Sequence, residues 1–339
     1  MTKLVAMSKR AAGWSGTVQA TTTRPTGSLY QMFLLGAAIS AYGVGPDDIF
    51  SGVGPCVALA ADGSLQVLEN FGASAGAVDT LQNQLLRSSR CAFADVLELA
   101  GDTLTLNPTD VTALPVGGGS GALATPLSPF ENLTVGPRYS PIEVAHAATS
   151  FATGGLRPVR QVVTAITDSE GGLLWSAPAH DLVRVMSKDA ACATSEILQA
   201  NVATGTGTRA QLGAQPVGGK TGTLDTFTDA WFVGYTPYLV TAVWMGNSRP
   251  TETVPMTNVG GVDVTGGSYP AEAFGHFNQA FHQDRPVVPF AACSGVVASE
   301  ATEQPAPPAP PGGLCTPGFT QAVDADDDDI PDACFADDE

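Results

Sequence analysis

Residues 28–42 read SLYQMFLLGAAISAY and place apolar side chains on nearly every side of a helical wheel. A helix without a polar face is expected to be buried. Ser28 stands at its start, after Pro25 and Gly27, and Gly43 lies just past its end. Residues 79–100 carry a second helical pattern, interrupted by a polar patch at 87–91. A third helix is expected over 140–152, SPIEVAHAATSFA, with Ser140 as N-cap, Pro141 at the first helical position and Gly154-Gly155 as the stop. Residues 162–174 alternate as strands about the turn at 168–171, and two clearer strands run over 229–234 and 239–245. The residues between the latter two, Tyr235-Thr236-Pro237-Tyr238, are the signal of a β-hairpin. Helices before and strands after predict an α+β layered domain.

Composition narrows the function classes. Hydrophobic residues make up 44% of the 339 and charged ones 14%, enough apolar material for a core and too little charge for a wholly disordered chain. The formal net charge of −18 argues against nucleic acid or an anionic membrane surface as a partner. Residues 324–339 contribute nine of the 33 acids and no base, so the body itself is only mildly acidic. No apolar run reaches the roughly 18 residues a membrane helix needs, and the first 16 residues have no apolar core of a signal peptide. Six cysteines without a CxxC pair disfavour zinc, and His146, His180, His276 and His282 have no ligand spacing. A globular body over 1–285 is expected to lead into a Pro-rich linker over 286–314, with Pro305, Pro307, Pro308, Pro310 and Pro311 as a polyproline spacer, and then into an acidic tail over 315–339.

The chemistry concentrates in residues 216–247, PVGGKTGTLDTFTDAWFVGYTPYLVTAVWMGN. Lys220, Thr221, Gly222 and Thr223 at the start of a strand suit a carboxylate beside an acyl group. The ammonium supplies charge, the hydroxyls supply hydrogen bonds, and glycine lets a substrate approach the backbone. A phosphate-binding GxxxxGK[ST] loop is excluded, because Gly213 stands one residue out of register with Gly219. KTGT followed by DAWFVGYTP and VTAVWMGN resembles the transpeptidase domain of penicillin-binding proteins, most closely the bifunctional class A type. RPTGSLYQMFLLGAAISAYGVGPDDIFSG resembles the nucleophile segment of that family, and VGPRYSPIEVAHAATSFATGG a later helix of it, so the resemblance runs over about residues 4–281.

The resemblance implies a central antiparallel sheet flanked by helices, a serine nucleophile, and acyl transfer with no cofactor. It places the nucleophile at Ser28, a second-motif serine at Ser88, and substrate-binding groups at Lys220, Thr221, Gly222 and Thr223. Two positions depart from the pattern. Gln31 stands where the family has the lysine that takes the serine proton, and Arg90 stands where it has an asparagine. A glutamine can hydrogen-bond but cannot act as the base that a serine needs. For Ser28 the competing reading is a helix N-cap, for Ser88 a solvent-facing polar residue; Glu143 reads as a structural cap or ion-pair residue rather than a catalytic acid. The resemblance further implies peptidoglycan stem peptides and β-lactams as partners and a cell-envelope location. It also makes LVAM at 4–7 the second strand of the sheet, with the first strand and the family's preceding anchor and glycosyltransferase domain missing, as in a truncated product.

Three readings follow: a D,D-transpeptidase with impaired catalysis, a non-catalytic relative that binds cell-wall peptide or a partner through the cleft, and a serine β-lactamase, which the flanks of KTGT disfavour. In the tail, VDADDDDIPDAC resembles a thrombospondin type 3 calcium repeat, with Asp324, Asp326, Asp328 and Asp332 as ligands and Asp329 in place of a glycine. If the chain is exported as that family is, Cys315 and Cys334 are the expected disulfide partners.

Overall fold

The computed structural model describes residues 3–6, 19–98, 128–158, 163–177, 182–247, 254–293, 319–323 and 333–336. They fall into two units, Met1–Ser294 and Gly295–Glu339. In the first, four strands form the central sheet: β1 (Lys3–Ala6), β2 (Gly218–Thr223), β3 (Asp229–Tyr235) and β4 (Leu239–Gly246), in the order β1-β4-β3-β2. The pairs β2–β3 and β3–β4 are antiparallel, with Lys220 opposite Val233 and Trp231 opposite Trp244. β1 departs from the expected all-antiparallel sheet. It runs parallel to β4, with Lys3 opposite Leu239, and needs no tight hairpin to reach that edge.

Strand alternation divides the core. Trp231, Val233 and Tyr235 of β3 join Val240 and Ala242 of β4 in a large apolar cluster with α1 (Gln31–Tyr42) and the helix over Pro141–Ala152. Phe232 points the other way and meets Phe274 of the helix over Tyr269–His282 at 5.0 Å, edge to face. The sheet is thus covered on both faces, as expected for an α+β fold.

α1 begins at Gln31, preceded by a 3₁₀ turn over Gly27–Tyr30, and ends at Gly43 in the left-handed region. The interrupted pattern at 79–100 resolves into α2 (Leu81–Arg87) and α3 (Arg90–Glu98), separated where Ser88 takes φ 57°. α4 (Pro129–Thr134) carries a capping box of Ser128 and Glu131, which the sequence pattern did not single out. The Pro141–Ala152 helix is α5. The Glu143 carboxylate accepts from the Ser140 backbone N–H at 2.8 Å and the Ser140 hydroxyl at 2.6 Å, the structural cap expected of it. α6 (Lys188–Thr204) packs beneath β2, and the Tyr269–His282 helix is α7. The strands expected over 162–174 form a hairpin of Ala165–Thr167 and Leu173–Ser176.

The body runs past Arg285, so the linker begins later than the composition implied. Phe290 packs on Tyr235 at 5.5 Å, Gln215 Nε2 donates to the Val288 carbonyl at 2.8 Å, and Cys293 is joined to Cys192 of α6. A second disulfide joins Cys56 to Cys91. In the second unit β5 (Phe319–Val323) pairs antiparallel with β6 (Ala333–Ala336). The proposed calcium ligands Asp324, Asp326, Asp328 and Asp332, and the Cys315–Cys334 pairing, lie outside the described residues and side chains. Among the described residues no helix is long and apolar enough to cross a membrane.

Candidate active site

Lys220 is the centre of the site. Its side chain is fully buried on β2, and its ammonium donates to Ser88 Oγ at 2.8 Å and to the Thr221 carbonyl at 3.0 Å. Burial pulls its pKa from 10.5 down to about 7. At neutral pH the neutral amine and the ammonium are therefore both well populated.

Ser88 receives this donor because of where the chain breaks. At the C-cap of α2 its backbone is left-handed, and the hydroxyl turns inward between two elements instead of outward to solvent. Ser88 Oγ in turn donates to Gln31 Oε1 at 3.1 Å, and Gln31 Nε2 donates to the Ser89 carbonyl at 3.3 Å. The result is a directed chain from Lys220 through Ser88 and Gln31 to a backbone carbonyl. Gln31 is 2% exposed, so its amide is locked as a connector. It satisfies both neighbours and has no capacity to take a proton. The reading of Ser88 as a solvent-facing residue is thereby corrected.

Ser28 sits in the 3₁₀ turn ahead of α1, half-exposed. It is not an N-cap: the cap position is Thr26, which makes no side-chain cap bond, and among the described residues the Ser28 hydroxyl makes no hydrogen bond. The turn is pressed onto β2. A Cβ on Gly222 would lie 2.3 Å from the Thr26 carbonyl oxygen, and one on Gly27 would lie 2.8 Å from that of Thr223. Gly222 is therefore required for backbone-to-backbone contact between β2 and the turn bearing Ser28, rather than for approach of a substrate.

The hydroxyls of β2 do not gather round the lysine. Lys220 and Gly222 face the helical layer, while Thr221 and Thr223 face the opposite side. Thr221 Oγ1 is 2.9 Å from Thr206 Oγ1, and Thr223 Oγ1 accepts from the Gly266 N–H at 3.0 Å. The structure thus brings together Ser88, Gln31 and Lys220, with the Ser28 turn alongside Gly222 and Thr223; Thr221 belongs to another layer.

Arg90 is occupied elsewhere. Its guanidinium grips Asp225 in a bidentate ion pair, Nη1 to Oδ2 at 2.8 Å and Nη2 to Oδ1 at 2.5 Å, and also donates to the Glu69 carbonyl at 3.2 Å. The loop that supports it depends on Asn70, whose Oδ1 accepts from the N–H groups of Arg90 and Cys91 and from Ser89 Oγ. Asp225 and Asn70 were missed in the sequence. Asp225, five residues past Lys220, was open to suspicion as a carboxylate beside the motif, whereas nothing local marks Asn70. A cluster of Cys192, Glu196 and Cys293 has the spacing of metal ligands, but its sulfurs are bonded to one another, which leaves no thiolate.

Residues 124–252 match the family model described as the penicillin binding protein transpeptidase domain. That span takes in the KTGT strand but neither Ser28 nor Ser88. The penicillin-binding protein PonA1 from Mycobacterium tuberculosis superposes with a TM-score of 0.71 at 20% identity, over 83% of this chain and 75% of that one. The fold is that of a penicillin-binding protein transpeptidase domain. Penicillin-binding protein A from M. tuberculosis, solved as an imipenem acyl-enzyme complex, shares it at a TM-score of 0.60 and 18% identity, over 78% of this chain and 62% of that one. Among curated proteins, penicillin-binding protein 1A of Aquifex aeolicus is 33% identical over 168 residues, which is 49% of this chain and 22% of the relative. Penicillin-binding protein 4 of Bacillus subtilis is 32% identical over 114 residues, 33% of this chain and 18% of the relative. The matches span about a fifth of the length of these relatives.

Proposed function

We propose that this cleft is a penicillin-binding, D,D-transpeptidase-type site of peptidoglycan cross-linking that recognises stem peptides ending in D-Ala-D-Ala through the KTGT strand, and that its acylation is impaired. In the reaction, Ser28 Oγ would bond to the carbonyl carbon of the penultimate residue, with Lys220 holding the terminal carboxylate. Thr223, expected to share it, would have to turn from the other face of β2, where its hydroxyl accepts from the Gly266 N–H. The N–H groups of Ser28 and Thr223 would face the developing oxyanion. Collapse of the tetrahedral adduct expels D-alanine as its amine, which must gain a proton, while the Ser28 proton must find an acceptor. A β-lactam offers the same acyl carbonyl.

The observation that carries the reading is the locked Gln31 amide beside an intact Lys220 strand. The site keeps its binding edge and lacks the base next to Ser28, a loss that typically costs about 10²–10⁴-fold. An envelope location accords with the disulfides Cys56–Cys91 and Cys192–Cys293, which persist in oxidising compartments. The same Gln31 and Arg90 favour the alternative, a non-catalytic module that binds cell-wall peptide.

Gel labelling with a fluorescent penicillin tests both. The native protein is expected to show no band at ordinary reagent concentrations, and strong labelling that Ser28→Ala abolishes would refute impaired acylation. Gln31→Lys combined with Arg90→Asn should raise labelling; a folded double variant that gains nothing would leave the binding-module reading.

A further inference from the structure

Among the described residues β2 is an edge strand, hydrogen-bonded within the sheet to β3 alone, yet all six of its residues are buried. Lys220 has no exposed surface and Thr223 retains 8%. A strand that receives a peptide must be reached by it, so the cover matters.

The turn that follows β2, residues 224–228, is fastened across to the loop at 69–73 and the start of α3 by two contacts of different kinds. One is the Arg90–Asp225 pair, in which the arginine side chain is 5% exposed and the aspartate 54%. The other is aromatic: Phe71 and Phe227 meet edge to face with centroids 6.0 Å apart, and the Arg90 guanidinium also lies 6.0 Å from the Phe71 ring. Phe227 holds this position from a backbone φ of 54°, a region a bulky residue seldom adopts. The turn is held there by bonds from the Phe227 N–H to the Leu224 carbonyl and from the Met256 N–H to the Phe227 carbonyl, both at 2.8 Å.

An ordinary surface ion pair would deserve little weight. This one differs because the cation is buried and already carries one atom, Nε, without a hydrogen-bond partner among the described residues. A guanidinium withdrawn from water needs an anion, and breaking such a pair leaves a costly unpaired charge. Asp225 supplies the anion from a half-exposed turn, where another carboxylate can compete for it.

We propose that Phe71, Arg90, Asp225 and Phe227 form an autoinhibitory clasp that keeps the KTGT strand covered, and that release of Asp225 from Arg90 opens Lys220 to a carboxylate-bearing peptide. Only the identity of the peptide rests on the function proposed above; the covering is tested without it.

The test is site-resolved acetylation of the full chain with N-hydroxysulfosuccinimidyl acetate at neutral pH, read by peptide mass spectrometry. Lys188, exposed at the start of α6, is the internal reference. In the native protein Lys220 should react far more slowly than Lys188. Asp225→Ala with Phe227→Ala should raise the Lys220 rate about tenfold or more while Lys188 stays unchanged, as expected when a local opening becomes easier. Should the double variant not fold, Asp225→Asn decides, because it keeps the volume and removes only the charge. Lys220 reacting as fast as Lys188 in the native protein would overturn the clasp. So would an unchanged Lys220 rate in folded variants. Faster Lys220 acetylation with no penicillin labelling in the Gln31→Lys form would count against the proposed function and leave the clasp standing.

Discussion

Lys220 holds a charge in a place that disfavours it, and this makes stability depend on pH in a definite direction. Its pKa is about 7 in the folded state against 10.5 unfolded, so between those values the unfolded chain binds more protons and stability rises with pH. The full effect has an upper limit on the order of 5 kcal/mol, reached only across the whole window. Urea unfolding at pH 7, 8 and 9 should therefore show the native protein gaining stability relative to Lys220→Met as pH increases. Parallel curves for the two proteins would mean that the ammonium stays charged inside the fold. The same titration bears on binding: below pH 7 the ammonium predominates and suits a carboxylate, and above it the amine loses that attraction.

At the scale of elements, the contact between β2 and the turn bearing Ser28 is made by backbone, and no side chain can be inserted there. Gly222→Ala would place a methyl 2.3 Å from the Thr26 carbonyl oxygen and 2.7 Å from Leu29 Cβ, both in packed surroundings. The expected cost is about 1–3 kcal/mol, typical of overpacking, with the turn displaced from the strand. Urea unfolding of Gly222→Ala within about 0.5 kcal/mol of the native protein would show that the contact yields freely. Much of this architecture was legible because local signals decided it. The cap and proline of α5 and the β3–β4 hairpin fell within a residue or two of their observed bounds, and α1 ended as expected but began three residues later, behind the 3₁₀ turn. α6 was missed because its buried face mixes alanine and threonine with polar residues and shows only a weak apolar stripe; α7 does carry one, with Pro270, Ala271, Phe274 and Gly275 buried on one face, and was passed over. At the candidate site, Ser28, Gln31, Ser88 and Lys220 were singled out by the family resemblance of their segments. The wiring of the site was not legible: the chain Lys220–Ser88–Gln31 and the Arg90–Asp225 pair join residues 57 to 135 apart, and long-range pairings leave no trace in any window of sequence.

At the scale of the whole chain, the acidic tail gives a prediction independent of the cleft. If Asp324, Asp326, Asp328 and Asp332 hold calcium, calorimetry on the full chain should show binding near 10⁻⁴–10⁻³ M, roughly the range of extracellular modules. Sodium at equal ionic strength should give no such heat. An unchanged calcium heat after Asp326→Asn with Asp328→Asn would leave a solvated tail. The disulfide between Cys192 and Cys293 closes a loop over 101 positions, and β2, β3, β4 and α7 all lie inside it. Tension applied through residues beyond Cys293 therefore has a covalent shortcut into α6, ahead of every one of those elements. Were the tail anchored while the wall around it stretched, the strand carrying Lys220 would sit in a slack loop, mechanically insulated from the pull.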